Sequence, residues 1–339
     1  MNMPNTLGLP STQYLLGYFE KWKPNDAAFV GKDIMPEVMH PYPSVEWEEL
    51  AGIAGMTPAH SLNSPAPTLA HRGRVKRTEL PFYFGEKQIL EESDFLHIRA
   101  LGTFDRFAGR ELVLKGQEQM LSRMVTRLEW ARWQAMAGSL AISVNGVIRT
   151  VTYATKSISN PSTLWSVVAT ANPIANLQAW ALLFRGLGEG PLECYFNAQI
   201  GAYLAQNAIV RDMIEGNALG TMAGTDDIAT VLTKLVGGIK FIQYDGGAIN
   251  ADGTTYDPFI GDTKIVLIKR PPMGQTLGGF YSTPSVKNGG PFNPKPGRFS
   301  WVKDETGMTD CPKYTYGGGQ YGLPVLFFPG NVATVTVAS

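Results

Sequence analysis

The sequence predicts an α+β fold, and three observations carry that prediction. Residues 104–138 hold one helical pattern much longer than any other in the chain. Runs rich in β-branched and aromatic residues recur at 147–154, 239–244, 264–268, 279–282, 324–328 and 332–337. Helices and strands are mixed without the strict alternation that a doubly wound parallel sheet requires.

Residues 1–85 are poor in periodic apolar positions and hold ten of the 23 prolines. A short helix is expected at 13–22, where Tyr14, Tyr18 and Trp22 are spaced four apart. Prolines 36, 41 and 43 exclude a helix or a central strand from 35–43, because each lacks an N–H donor and restricts its predecessor. A strand is expected at 44–50 and extended chain at 80–84, joined by small, polar, turn-rich residues at 52–68. The whole stretch reads as an arm and a long hairpin that neighbouring copies would order.

A short helix is expected over 88–100. Glu91 and Glu92, with Asp94, would serve its N-terminal dipole. In the long pattern, Leu121, Met124, Val125, Leu128, Ala131 and Ala135 form one stripe. Arg123, Arg127, Glu129 and Arg132 lie off it, and Glu111 precedes Lys115 in the favourable i,i+4 order. Asp105 is placed to cap the start and Gly138 to end the helix in a left-handed turn, while Gly109 and Gly116 would bend or shorten its first half. Further on, Asn172-Pro173 opens a helix closed at Gly186, and Asn197 opens another through Asn207. Thr225, Asp226 and Asp227 open a third, ended by Gly237-Gly238. Residues 289–297 read as a loop without an element of its own.

Composition narrows the function. Lys+Arg and Asp+Glu are each 29, and charged residues are 17% against 44% hydrophobic. An ordinary soluble domain carries about 25% charged residues. So weakly charged a surface favours association and argues against a dedicated nucleic-acid binder. Cys194 and Cys311 make no disulfide framework, so folding in an intracellular compartment is the simpler inference. Neither a signal peptide nor a membrane span is visible.

Motifs for chemistry are weak. There is no GxxxxGK[ST] phosphate loop, GxSxG elbow or HExxH pair, and His40, His60, His71 and His97 are scattered. The glycines at 186, 188 and 190 are too close for a dinucleotide fingerprint, and residues 252–257 lack the glutamate that would close a calcium loop. Cys194, beside Leu192, Tyr195 and Phe196, reads as a buried structural thiol. Arg72, Arg74, Lys76 and Arg77 form the one basic run. It suits a solvated loop face, a contact with acidic groups on another copy, or non-specific contact with packaged nucleic acid.

RLEWARWQAMAG at 127–138, followed by VTYA at 151–154, resembles the family of the lambda phage major head protein. FVGKDIMPEV at 29–38, APTLAHRGR at 66–74, LPFYFGEKQIL at 80–90, ANPIANLQAW at 171–180, FIGDTKIVLI at 259–268 and GGFYSTP at 278–284 continue the resemblance in order. It implies the tailed-phage capsid fold of the Hong Kong phage ninety-seven type. The parts would be an N-terminal arm at 1–43, an extended loop at 44–85, a peripheral domain at 86–158 with a spine helix near 105–137, an axial domain at 159–310, and C-terminal strands at 311–339 returning to the peripheral domain.

It also implies a non-enzymatic major capsid protein, without cofactor or metal, that assembles in the host cytoplasm and resides in the virion. Copies of itself, as pentamers and hexamers, would close an icosahedral head around double-stranded DNA. Other partners would be a scaffolding protein on a separate chain, a portal and a decoration protein, with no membrane. Inter-subunit contacts are expected from Arg72, Arg74, Lys76, Arg77, Glu91 and Glu92. The rival readings are another phage part, such as a tail-tube or portal subunit, and an α/β enzyme using Cys194 with His97.

Overall fold

The computed structural model describes residues 9–339 apart from 23–25, 51–73, 92, 95–98, 101–102, 105, 145, 217–227, 250–252, 273 and 306–312. In chain order its elements begin with α1 (Thr12–Lys21), α2 (Gly31–Ile34), β1 (Glu37–Met39), β2 (Val45–Leu50), β3 (Arg74–Glu79), β4 (Phe82–Leu90), β5 (Arg99–Ala100) and β6 (Thr103–Phe104). The long helix α3 (Arg106–Met136), β7 (Ser139–Val144) and β8 (Val147–Thr152) follow. Next come α4 (Pro173–Leu183), β9 (Leu192–Phe196), α5 (Ala198–Gln206), α6 (Ala208–Gly216), α7 (Ile228–Leu235) and β10 (Ile239–Gln243). The remainder is β-rich: β11 (Gly247–Ile249), β12 (Tyr256–Pro258), β13 (Lys264–Lys269), β14 (Gly278–Ser285), β15 (Lys295–Pro296), β16 (Phe299–Asp304), β17 (Tyr314–Leu326) and β18 (Val332–Thr336).

Helix α3 runs 31 residues without a break, about 46 Å at 1.5 Å per residue. It ends where Gly138 takes φ +100°, as its position after the apolar stripe predicts. All six stripe residues are buried, and Glu111 and Lys115 pair at 2.8 Å on the exposed side. Gly116 does not break the helix: the Tyr316 hydroxyl and the Gln88 side chain occupy the space its Cβ would need. The expected Asp105 cap lies outside the described residues. Glu129 and Arg132 correct the sequence reading. Both are buried, because from Leu128 to Met136 no side chain of α3 is exposed. The second face of the helix is covered by α2, Met35 and Tyr244, which a period count along one helix cannot foresee.

Two sheets flank this helix. A six-stranded sheet runs β1-β14-β17-β16, with β15 on β14 and β4 on β17; only its edge strand β1 is parallel to its neighbour. It packs with α3 around Phe82, Phe84, Phe280, Leu323 and Val325. A four-stranded sheet, β10-β9-β13-β18, pairs β9 and β10 in parallel across α5, α6 and α7, and its helix-covered core includes Phe196, Phe241, Leu267 and Val335. Strands β14 and β16, within 159–310, thus join the sheet of β4, whereas β18, within 311–339, joins the other. Asn172 caps α4 and Asn197 caps α5 as expected, each accepting an N–H three residues on. The expected caps of α7 at Thr225–Asp227 lie outside the described residues.

Several other expectations change. Residues 88–90 are not helical: they close β4 against Tyr314, Thr315 and Tyr316, and Arg99–Ala100 is a short strand. The described residues of the first 85 do not wait for a neighbour. Leu9, Leu15, Ile34, Met35, Val45, Trp47, Phe82 and Phe84 are buried in this chain's own core. They belong to short elements, each contributing only one to three apolar residues to a core built mostly by later parts of the chain, so the stretch shows no sustained period. The loop at 289–297 contains β15, which pairs with Pro284 and Ser285. β17 begins at Tyr314, ten residues before the expected strand. Its Gly317 and Gly319 face the rings of Trp301 and Tyr83, which lie across the strand where Cβ atoms would stand.

Candidate functional site

Strands β2 and β3 form a two-stranded antiparallel limb, with Val45 opposite Glu79 and Leu50 opposite Arg74. Val45, Trp47 and Glu49 alternate inward while Glu46 and Glu48 face out, the period-2 pattern of a half-buried strand. The outward carboxylates of Glu46 and Glu48, and the inward one of Glu49, meet the basic run diagonally across the pair. Arg74 lies 2.9 Å from Glu48, Lys76 2.7 Å from Glu46 and Arg77 2.6 Å from Glu49. Hydrogen bonding to Glu46 raises the Lys76 pKa above its ordinary value. The acidic partners of these three cations therefore lie on β2 of the same chain. Arg72 and Glu92 lie outside the described residues. Glu91 is exposed, and its N–H donates to the Asp94 carboxylate at 3.0 Å. That bond stands at the start of a helical turn, since Ser93 and Asp94 are helical; the rest of the expected helix up to residue 98 lies outside the described residues.

The root of the limb is held by β8. Arg149 donates to the carbonyls of Pro81 (3.2 Å) and Leu80 and approaches the Glu79 carboxylate at 3.5 Å. Arg77 reaches the Thr152 carbonyl from the limb side at 3.4 Å. The other end of the limb is tied as well: the Leu50 N–H donates to the Phe327 carbonyl at 2.8 Å, so β2 lies along the body.

Beside the limb root, a groove of about 880 Å³ runs between α3, β4 and the β11–β12 hairpin. Arg123 there pairs with Glu86 at 3.1 Å, and the Arg127 guanidinium stacks 3.7 Å over the Trp130 ring. Burial lowers the Arg127 pKa, and Asp257 opposes that shift. Two cations and two carboxylates leave the groove formally neutral, without the excess positive charge that gathers phosphates. Among the described residues, no three His, Cys, Asp or Glu side chains cluster as a metal site. Among the same residues, no helix is long and apolar enough to cross a membrane.

Cys194 is buried on β9 between Phe241 of β10 and Leu267 of β13, and burial pushes its thiol pKa up. A thiol so held is a poor nucleophile. His40 packs its ring against Tyr42 and Tyr281 on the other sheet; His97 lies outside the described residues.

Sequence reasoning passed over the Glu129 carboxylate, which is 0% exposed and receives donors from Gly31, Arg132, Trp133 and Tyr244. The available signal was an acid flanked by two arginines and followed by two tryptophans in RLEWARW.

Residues 11–284 match the family model described as phage major capsid protein E. No curated protein matches the chain. Among solved structures it is similar to the crystal structure of a protein described as a prophage capsid protein of Escherichia coli CFT073. The two are 15% identical with a TM-score of 0.63, over 97% of this chain and 99% of that one. A phage-related protein from Bordetella bronchiseptica RB50 is 12% identical, with a TM-score of 0.55 over 96% of both chains. These two likenesses carry the fold.

Proposed function

Because the chain belongs to the phage major capsid protein E family, we propose that it assembles with copies of itself into the head of a tailed phage, as pentamers and hexamers around double-stranded DNA. The observation that carries this reading is the family match over 11–284, which spans the limb, α3, three strands of the six-stranded sheet (β1, β4 and β14) and three of the four-stranded one (β9, β10 and β13). That match favours a head protein over a tail-tube or portal subunit, and a structural over a catalytic role. The weakly charged composition and the groove beside the limb, with two cations and two carboxylates in its lining, agree with it.

In this reading α3 and the six-stranded sheet form the peripheral body, and the four-stranded sheet with α4–α7 forms the axial body. The limb reaches toward a neighbour. A standard protein interface buries about 1,600 Å², and a subunit touching several neighbours exceeds that in sum, so individually weak contacts hold a shell. Scaffolding protein, portal, decoration protein and packaged DNA are the further partners, and the virion is the site of residence, reached by assembly in the host cytoplasm.

Electron microscopy of the purified, expressed chain tests this. Closed shells or flat hexameric lattices support it. Tubes of stacked rings, single dodecameric rings or dispersed monomers under all assembly conditions overturn it.

A further inference from the structure

Two segments remote in sequence converge on Glu129. Its Oε1 accepts the Gly31 N–H at 2.6 Å, the Trp133 indole N–H at 2.9 Å and the Tyr244 hydroxyl at 3.0 Å. Arg132 donates to Oε2 at 3.3 Å. Gly31 begins α2, and a Cβ there would stand 2.6 Å from Oε1, so only glycine allows the approach. Tyr244 directly follows β10 and stacks on Trp133 with ring centroids 5.1 Å apart. Tyr195 of β9 meets the same indole edge-on at 5.4 Å. The alternate residues of β9, Cys194 and Phe196, point to the opposite core. Glu129 therefore sits where α2, α3 and the inner face of the four-stranded sheet join. Withdrawing a carboxylate from water is costly unless donors surround it, and removal of one donor leaves the rest uncompensated.

We propose that Glu129 is a positioning residue, a buried rivet that couples the N-terminal segment to the four-stranded sheet through α3. The junction then behaves as one rigid unit. Adjustment of the subunit to unlike neighbours falls to segments outside it, such as the limb; that last step rests on the shell reading, whereas the coupling does not.

Hydrogen exchange and denaturation of the full chain, held unassembled, test the coupling. Glu129→Gln should speed amide exchange at least tenfold at both 30–35 and 243–246, with β17 unchanged. A double-mutant cycle of Gly31→Ala and Tyr244→Phe should be non-additive, and additive when repeated with Glu129→Gln. The Val30 backbone also reaches the Tyr244 hydroxyl, so coupling that survives Glu129→Gln belongs to that contact and overturns the proposal. A response confined to the residues flanking 129, or to one remote segment, overturns it equally. If Glu129→Gln does not fold, Trp133→Phe decides: it removes one donor to Glu129 and leaves the Val30–Tyr244 contact in place. It should speed exchange at 30–35, and unchanged exchange there sinks the coupling. Failure of the chain to form shells would remove the head reading and leave these exchange results standing.

Discussion

The guanidinium of Arg149 lies 4.3 Å over the ring of Phe82. The same side chain bonds the carbonyls just before that ring, so β8 grips the limb where it joins the body. Arg149→Ala removes the stacking and both carbonyl bonds, and should cost about 1–2 kcal/mol. A lower denaturant midpoint and faster tryptic cleavage within 74–79, with α3 still protected, would show it. Arg149→Lys should restore less than half, since an ammonium cannot stack or fork.

The three limb cations should differ. Arg77 faces Glu49, which is 7% exposed, whereas Arg74 pairs with a carboxylate in solvent. Arg77→Ala strands a nearly buried charge and should destabilise by about 2–3 kcal/mol. Arg74→Ala should change stability by less than about 0.5 kcal/mol. Urea titrations of the two variants give the comparison, and equal effects would contradict the geometry.

Glycine 322 carries a steric prediction. A Cβ there would collide with the Phe280 ring and stand 2.8 Å from the Tyr281 carbonyl. Overpacking of this kind costs about 1–3 kcal/mol. Gly322→Ala should therefore lower the melting temperature, while Gly330→Ala, with nothing within 4 Å of its Cβ, should not.

Alkali should unfold the chain. Burial, with Glu118 adding, pushes Tyr18 up to about 12, and burial, with Asp94 adding, pushes Tyr316 up to about 12. Burial also raises Tyr153, Tyr195, Tyr244 and Tyr314. A phenol in the unfolded chain titrates near pH 10. The folded pKa values lie higher, so the stability these groups contribute is complete below about pH 10 and is lost as pH rises through 10 to 12. Phenolate absorbance and loss of circular dichroism should rise together in that window. Ionisation of Tyr153, Tyr195 or Tyr314 with the fold intact would contradict their burial.

Cys194 should be silent to thiol reagents in the folded chain, because burial both hides the sulfur and disfavours its thiolate. Peptide mapping after labelling should find its peptide unmodified natively and modified in about 6 M guanidinium chloride, a concentration at which most domains are unfolded. Native labelling would reopen the enzyme reading.

The long helix was legible because its apolar residues repeat over many turns, and Gly138 ended it where only a left-handed residue fits. Asn172-Pro173 and Asn197 were legible because a cap is a local device, complete within four residues. β9, β16 and the first part of β17 were not. β9 is buried at all five positions and so shows no alternation. β17 reads as a glycine-rich loop until the rings that cover it are in place.

The sequence by itself determined the α+β class, the spine helix with its terminator and the family resemblance, since each rests on neighbours in the chain. Tertiary structure alone decided that Glu129 and Arg132 are buried, that the limb cations have partners on β2, and that β14 and β18 belong to different sheets. Those outcomes depend on residues a hundred or more positions away, or on strand pairing, and neither local spacing nor composition encodes which distant surface will cover a given side chain.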